Sequence, residues 1–344
     1  MIVSIQFCKM KKLLLTLTLA ILGCSSPVQL ILGTSTPIQT PTQTPAPTQT
    51  PPATAEPGTE QNPLILALGP SSRPSNEVIS AGEVISGYIE SHTGYKVVTV
   101  IPSSETVLVD AIDKGNAHIA AFSPFGYLSA RENDSVTAIL ASVRDGQTFY
   151  GTQFIANRES GFTSFYDDEL GDNTEDANNA LKQFQDKKPC WSDPTSPSGY
   201  VVPLGLLNQA QVEVSSAAFL EGQSSVVRAV YAEGICDFGA TYIDARQLPS
   251  LEADYPDVME RVNVIWRMDK IIPYENISLS NSLPIEMRRV IQRAFIDLML
   301  TPEGKAAVQT VYGIDEIQIA EDVMYDDFAM YVNASGLDLA ELIK

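Results

Sequence analysis

Between residues 63 and 312, short apolar runs alternate with segments of helical periodicity, and this alternation restricts the fold more than any other feature of the chain. Residues 63–68 read as an apolar strand. Residues 76–92 place Val78, Ile79, Ile85 and Ile89 on one helical face, and 95–101 are β-branched again. Helix 105–114, strand 117–122, helix 124–132 and strand 136–142 follow. A second series runs through strand 150–156, helix 177–186, strand 188–191, helices 198–209 and 225–234, and strand 235–240. Residues 262–267 and 277–280 look like strands, 284–300 and 302–312 like helices; beyond Gly313 the chain is acidic and less regular. Repeated strand–helix–strand order predicts an α/β protein with mostly parallel sheets flanked by helices.

The segment ahead of this pattern has another character. Lys11 and Lys12 precede an apolar run that ends in Gly23 and Cys24, the layout of a bacterial lipoprotein signal over residues 1–23. The run is much shorter than the roughly 20 residues that span a bilayer. Cys24 is therefore expected to be the lipidated first residue of an extracytoplasmic protein anchored to the cell membrane, with either Met1 or Met10 as the start. Residues 25–60 are rich in Thr, Pro, Gln, Ser and Ala, with Glu56 and Glu60 their only ionisable groups. Such a composition buries no core, so 24–61 are expected to form a disordered tether, roughly 30–40 Å end to end as a flexible coil.

The chain carries a formal charge of −20, which becomes −23 once Lys9, Lys11 and Lys12 leave with the signal. That balance excludes nucleic acid as a partner, since a phosphate backbone requires a basic face. It argues only weakly against a small anion, because dipoles in a desolvated pocket dominate locally. Two cysteines, Cys190 and Cys236, remain in the exported part, each in an apolar run that reads as a buried strand. Outside the membrane an even pair predicts a disulfide stitching neighbouring strands. No metal is expected, because His92 and His118 stand in unrelated segments without ligand spacing.

Residues 188–205 carry the clearest chemistry. Thr195, Ser196, Ser198 and Gly199 cluster where a helix begins. The first turn of a helix offers unpaired N–H groups and the positive end of the macrodipole, which together receive an oxyanion without a cationic side chain. Three hydroxyls add donors, and Gly199 permits close backbone approach. An ordinary N-cap uses the same residue types, and the motif alone does not separate the two readings.

Ordered blocks extend the case: residues 115–127, 150–156, 193–203, 236–241, and 272–276 before Ser282, Leu283 and Pro284. In order and spacing they resemble the phosphonate, phosphite and phosphate substrate-binding proteins of ABC importers, over roughly residues 64–313. The resemblance implies a type II periplasmic-binding-protein fold, with lobe I at 62–150 plus 268–344, lobe II at 151–267, and a ligand caught as the lobes close. It also implies that the oxyanion sits on Thr195, Ser196, Ser198 and the Gly199 amide. Ser71 or Ser72, Ser103, Ser104 and Ser123 would close the site from lobe I, with Tyr127 and Tyr150 as walls. Pro197 stands where the family commonly has a donor, and His118, at a position often acidic in the family, is expected at a rim without a ligand role. Tyr242 and Asp244 could receive an ammonium group or a protonated oxyanion; Arg73 ranks below the serines as a clamp.

Nothing in the chain resembles a nucleophile elbow or a metalloprotease helix, so no catalytic residue and no cofactor are expected. The resulting expectation is a monomeric lipoprotein that binds a small phosphorus oxyanion and hands it to a permease with a cytoplasmic ATPase. The alternatives are a ligand-sensing lipoprotein for a signalling partner, or the same fold on another small molecule.

Overall fold

The computed structural model describes residues 55–71 and 74–344. The signal segment, Cys24, most of the tether, Ser72 and Arg73 lie outside the described residues. Residues 55–61, which composition assigns to the tether, form a turn with Asn62 against the domain: Lys96 N donates to Gly58 O at 2.8 Å, and Asn62 Nδ2 to Ala55 O at 2.8 Å.

The strands are β1 (Leu64–Ala67), β2 (Val97–Val100), β3 (Ile119–Phe122), β4 (Val136–Val143), β5 (Phe149–Asn157), β6 (Tyr166–Asp167), β7 (Asp172–Asn173), β8 (Pro189–Trp191), β9 (Ala218–Phe219), β10 (Phe238–Tyr242), β11 (Val262–Pro273), β12 (Asn276–Ser280) and β13 (Glu316–Ile319). They form a six-stranded sheet, β13-β4-β12-β3-β1-β2, and a five-stranded sheet, β11-β5-β10-β8-β9, with β6 and β7 as a separate hairpin. Parallel pairing is confined to β1–β2, β1–β3, β8–β10 and β8–β9. The remaining pairs are antiparallel, where strand–helix alternation predicts mostly parallel ones. The cause is that the chain passes between the sheets twice, so each sheet receives strands returning from the other.

Helices start where the sequence supplies caps. Ser75, Ser104 and Ser123 each accept a backbone N–H through their hydroxyl at the starts of Asn76–Thr93, Glu105–Asp113 and Pro124–Glu132. Gly94, at φ 75°, ends the first of these in the left-handed conformation that glycine adopts without penalty. Leu64, Leu66, Ile85, Ile89, Ile291, Phe295 and Leu298 bury completely on one face of the first sheet. In the second sheet, Phe238 stacks on Phe184 at 4.0 Å beneath Phe154.

Cys190 of β8 is disulfide-bonded to Cys236, with Cα atoms 5.6 Å apart. Cys236 lies just ahead of β10 rather than within it. Strand register there is set by Asp237, whose N–H donates to Lys188 O while its carboxylate accepts from Lys188 N.

The first passage between sheets turns at Asp145 and Gly146, both at positive φ, with Arg144 bridged to Gln147. The second is Tyr274 with Glu275. The two run side by side, Tyr274 N donating to Thr148 O at 3.0 Å and Ser142 N to Glu275 O at 2.8 Å. The acidic carboxyl-terminal stretch is more regular than its composition suggests. After β13, helix Asp326–Ser335 packs on helix Val202–Gln209 of the other sheet, where a Cβ on Gly205 would come within 2.1 Å of Tyr331 O. Asn208 Nδ2 donates to Ala334 O at 2.9 Å. Among the described residues no helix is long and apolar enough to cross a membrane.

Candidate ligand-binding cleft

The crossover segments border a cleft at the carboxyl ends of the strands, where open α/β sheets bind ligands. A cavity of about 500 Å³ is lined by Arg144, Tyr150, Pro197, Tyr242, Tyr274 and Glu275. A second recess, of about 280 Å³, shares Glu275 and is completed by Glu105, Ser123, Pro70 and Tyr312.

The second sheet contributes the loop after β8. Pro197–Val201 forms a wide π-helical turn, Val201 N donating to Ser196 O at 3.0 Å, before helix Val202–Gln209 continues. Ser196, 7% exposed, accepts the Gly199 amide on its hydroxyl at 3.0 Å. Glycine is required at 199 because an added Cβ would come within 2.0 Å of Ser192 Oγ. The Gly199 amide thus serves the N-cap. Gln223, at the start of helix Gln223–Ala232, buttresses the loop: Nε2 donates to Ser196 Oγ at 3.2 Å and Oε1 accepts from Tyr242 N at 3.2 Å. Ser198 is buried, its carbonyl accepting from Thr152 Oγ1 at 2.7 Å and its side chain interacting with the Tyr150 hydroxyl. Burial and nearby Glu275 push Tyr150 well above the ordinary tyrosine range, so it faces the cleft as a neutral hydroxyl.

The first sheet contributes Ser123, at the end of β3. Its N–H donates to Glu105 Oε1 at 2.8 Å, and its hydroxyl donates to Glu105 Oε2 at 2.7 Å while accepting from Gly126 N at 3.1 Å. The Glu105 carboxyl occupies the space that a Cβ on Gly126 would fill, only 2.1 Å from Oε1. Burial pushes Glu105 up from the usual carboxylate range, against the two bonds from Ser123. At the crossover, Arg144 Nη2 donates to Glu275 Oε2 at 2.6 Å with its guanidinium 4.7 Å from the Tyr274 ring centre, and Tyr274 stacks on Tyr150 at 5.1 Å.

Several expected site residues are committed to other contacts. Tyr127 is fully buried, its hydroxyl donating to Asp322 and its ring 4.3 Å from Tyr325; it belongs to the core because it falls on the inward face of helix Pro124–Glu132. Asp244 is consumed by a buried ion pair. Its carboxylate takes Arg246 Nη2 at 2.6 Å, Arg246 Nε and Gln153 Nε2, and although burial opposes ionisation, these bonds hold it below the usual aspartate range. Thr195 is exposed and turned onto Asp193 Oδ1 at 3.0 Å. Ser103 is exposed, Ser104 is the cap of its helix, and Ser71 N donates to Pro102 O at 2.9 Å. His118 is buried rather than at a rim: Nδ1 accepts from Ile65 N at 2.9 Å, which fixes β1, and burial pulls its pKa down.

Sequence reasoning gave no role to Glu105, Arg144, Gln223, Tyr274 or Glu275. Arg144 follows a strand end and Glu105 follows a cap serine, the only local signals that mark either. Their partners come from segments 18 to 131 residues away.

Comparison with known proteins identifies the family. The profile of the family described as "ABC transporter, phosphonate, periplasmic substrate-binding protein" matches residues 70–325, and the chain belongs to this family. It is similar to the phosphate-import protein PhnD of Mycolicibacterium smegmatis, 30% identical over 198 residues, a match that covers 53% of this chain and 56% of that one. Two solved structures share the two-lobed fold. One, from Xanthomonas citri and bound to ATP, has TM-score 0.57 and 12% identity, covering 79% of this chain and 97% of that one. The other, Mh-p37 of Mycoplasma hyorhinis, described as a putative thiamine pyrophosphate transporter, has TM-score 0.50 and 10% identity, covering 79% and 98%.

Proposed function

We propose that the protein is an extracytoplasmic receptor, held to the membrane through Cys24 and the tether, that captures a small phosphorus oxyanion and delivers it to a permease driven by a cytoplasmic ATPase. The observation that carries this reading is the position of the Ser196–Ser198–Gly199 turn. It opens helix Val202–Gln209 beside Tyr150, and its Pro197 shares the wall of the 500 Å³ cavity with Tyr242 and Glu275. Neutral donors at a helix start hold an oxyanion without a lysine, which suits an acidic chain.

Capture works by closure of lobe I, 62–150 plus 268–344, on lobe II, 151–267, about the paired crossover segments. Ser198, Tyr150 and Arg144 supply donors, and Ser196 with Gln223 keeps the loop in shape. Handover requires no bond to be made or broken.

The test is transport. A deletion strain is expected to lose uptake of the phosphonate or phosphate ligand, and to regain it with the native gene but not with Ser198→Ala. Undiminished uptake in the deletion strain would remove the importer role and leave a sensor.

A further inference from the structure

The six-stranded sheet ends at β13, and among the described residues β4 is that strand's only neighbour. Ala320 N donates to Ile139 O at 3.1 Å, so by the alternation of an antiparallel ladder Gln318 and Glu316 also turn their N–H and C=O to β4. Ile317 and Ile319 therefore present theirs at the open edge. Proteins blunt such an edge with lysine, proline or a bulge. β13 reads Glu-Ile-Gln-Ile and pairs with β4 without a register shift, so it has none of these devices. Beside it lies an apolar groove of about 390 Å³, where Ile317 and Ile319 meet Ile296, Met299 and Leu300 at the end of helix Ile285–Met299. Leu300 is 78% exposed and Ile319 58%.

Charge says what covers this face. The chain carries −20, yet residues 285–319 hold five acids and four bases. Two copies of so acidic a chain repel over most of their surfaces and approach at least cost where the signs balance. The rim of the groove is itself mixed, Lys305 standing with Asp315 and Glu316, as a contact of one patch with its own copy requires. We infer that β13 and the end of helix Ile285–Met299 form a self-association face, on which the open edges of two copies pair antiparallel about a two-fold axis.

An axis through Gln318 sets Ile317 opposite the partner's Ile319, and these outward residues exchange N–H···O bonds. Their side chains share the face of the groove, so the isoleucines of both copies form one apolar row with Leu300 at either end. Gln318 meets the partner's Gln318 on the other face. Asp315 comes opposite the partner's Glu321, so association strengthens as salt screens the charges. A strand pair with a few aliphatic side chains falls below the roughly 1,000 Å² of a lasting interface, and dilute protein stays monomeric, as the sequence predicts. Confinement to one membrane, on the anchoring given under the proposed function, raises the local concentration of copies and favours the pair.

The experiment is analytical sedimentation of the Cys24→Ser chain, which keeps the tether without the lipid, at concentrations up to about 1 mM, the range that flexible tethering supplies. The expected result is a reversible dimer whose share grows with concentration and with salt. Ile319→Lys, at an exposed position, should weaken dimerisation by about tenfold or more, through a lost apolar contact and a charged edge. Gln318→Cys should link two chains under oxidised glutathione, because Cα atoms facing across a non-hydrogen-bonded pair stand about 4.5 Å apart, within disulfide range. Val323→Cys, exposed but off the strand, should not. A native-sequence edge that stays monomeric at every concentration and salt overturns the inference, and this arm stands whatever the variants do. A dimer that persists unchanged in folded Ile319→Lys uses another face and also overturns it, as does equal linking of the two cysteine variants.

Discussion

Arg144 Nη2 lies 2.6 Å from Glu275 Oε2, an ion pair that joins the two passages of the chain between the sheets and stands in the wall of the cleft. The pair is partly exposed, with side-chain accessibilities of 43% and 34%, so solvent screening leaves it little value for stability. Its place above Tyr274 gives it value for binding. Arg144→Ala is expected to change the unfolding free energy by less than about 1 kcal/mol. It should weaken binding of a phosphorus anion by roughly 10- to 100-fold, the worth of a charge-assisted hydrogen bond. Denaturant unfolding and calorimetric titration of the variant read the two effects separately; an unchanged Kd would remove Arg144 from the site.

Gly199 is a packing requirement of the loop. An added Cβ would stand 2.8 Å from Ser192 Cβ as well as 2.0 Å from its hydroxyl, and no side-chain rotation moves the Cβ away. Gly199→Ala should cost about 1–3 kcal/mol of stability, as overpacking does in close-packed interiors. It should also displace the Ser196 cap and impair ligand binding. A variant with native melting temperature and native affinity would show that the turn is looser than its geometry.

The Asp244–Arg246 pair predicts an acid-sensitive contribution to stability. Asp244 has its folded pKa depressed below the ordinary value of 3.8, so the unfolded chain binds its proton first as pH falls. The contribution is therefore complete above that value and is lost as pH drops through the folded one. Both side chains are under 10% exposed, and Asp244→Asn leaves Arg246 buried and uncompensated, a loss of about 3–5 kcal/mol at neutral pH. The gap between variant and native protein should narrow as pH falls below 3.8, in urea unfolding compared at neutral and acid pH. An equal gap at both would contradict the assignment.

The disulfide closes a loop between residues 46 apart in sequence. Replacing Cys190 and Cys236 by alanine should cost about 2–4 kcal/mol, seen as a lower melting temperature. The denatured, unreduced domain should show no titratable thiol from either cysteine. Two free thiols there would refute the bridge.

Much of this fold is legible in local pattern, because β-branched runs, cap serines and Gly94 each act within a few residues. The carboxyl-terminal helix was hidden by its acids, although Phe328 and Val332, four residues apart and buried, carry its apolar stripe. Ser196, Ser198 and Gly199 could be read because a cap is a local device. Glu105 with Ser123, and Arg144 with Glu275, could not, since each pair exists only once distant strands have been brought into register. Tyr127, in the helix after β3, and Tyr150, at the start of β5, are the same residue type, and only the tertiary packing separates a core phenol from a cleft wall. Asp244 shows the same limit: its partner is two residues away, yet nothing in the spacing says that the arginine turns inward.

The most direct measurement is calorimetric titration of the protein at neutral pH with phosphate, phosphite, methylphosphonate and 2-aminoethylphosphonate, with sulfate as control and Ser198→Ala in parallel. The account predicts selective binding of a phosphorus oxyanion, with sulfate excluded and affinity in Ser198→Ala reduced by about tenfold or more, the cost of a lost donor to an anion. Binding of none of the four, or equal affinity in the serine variant, would contradict it.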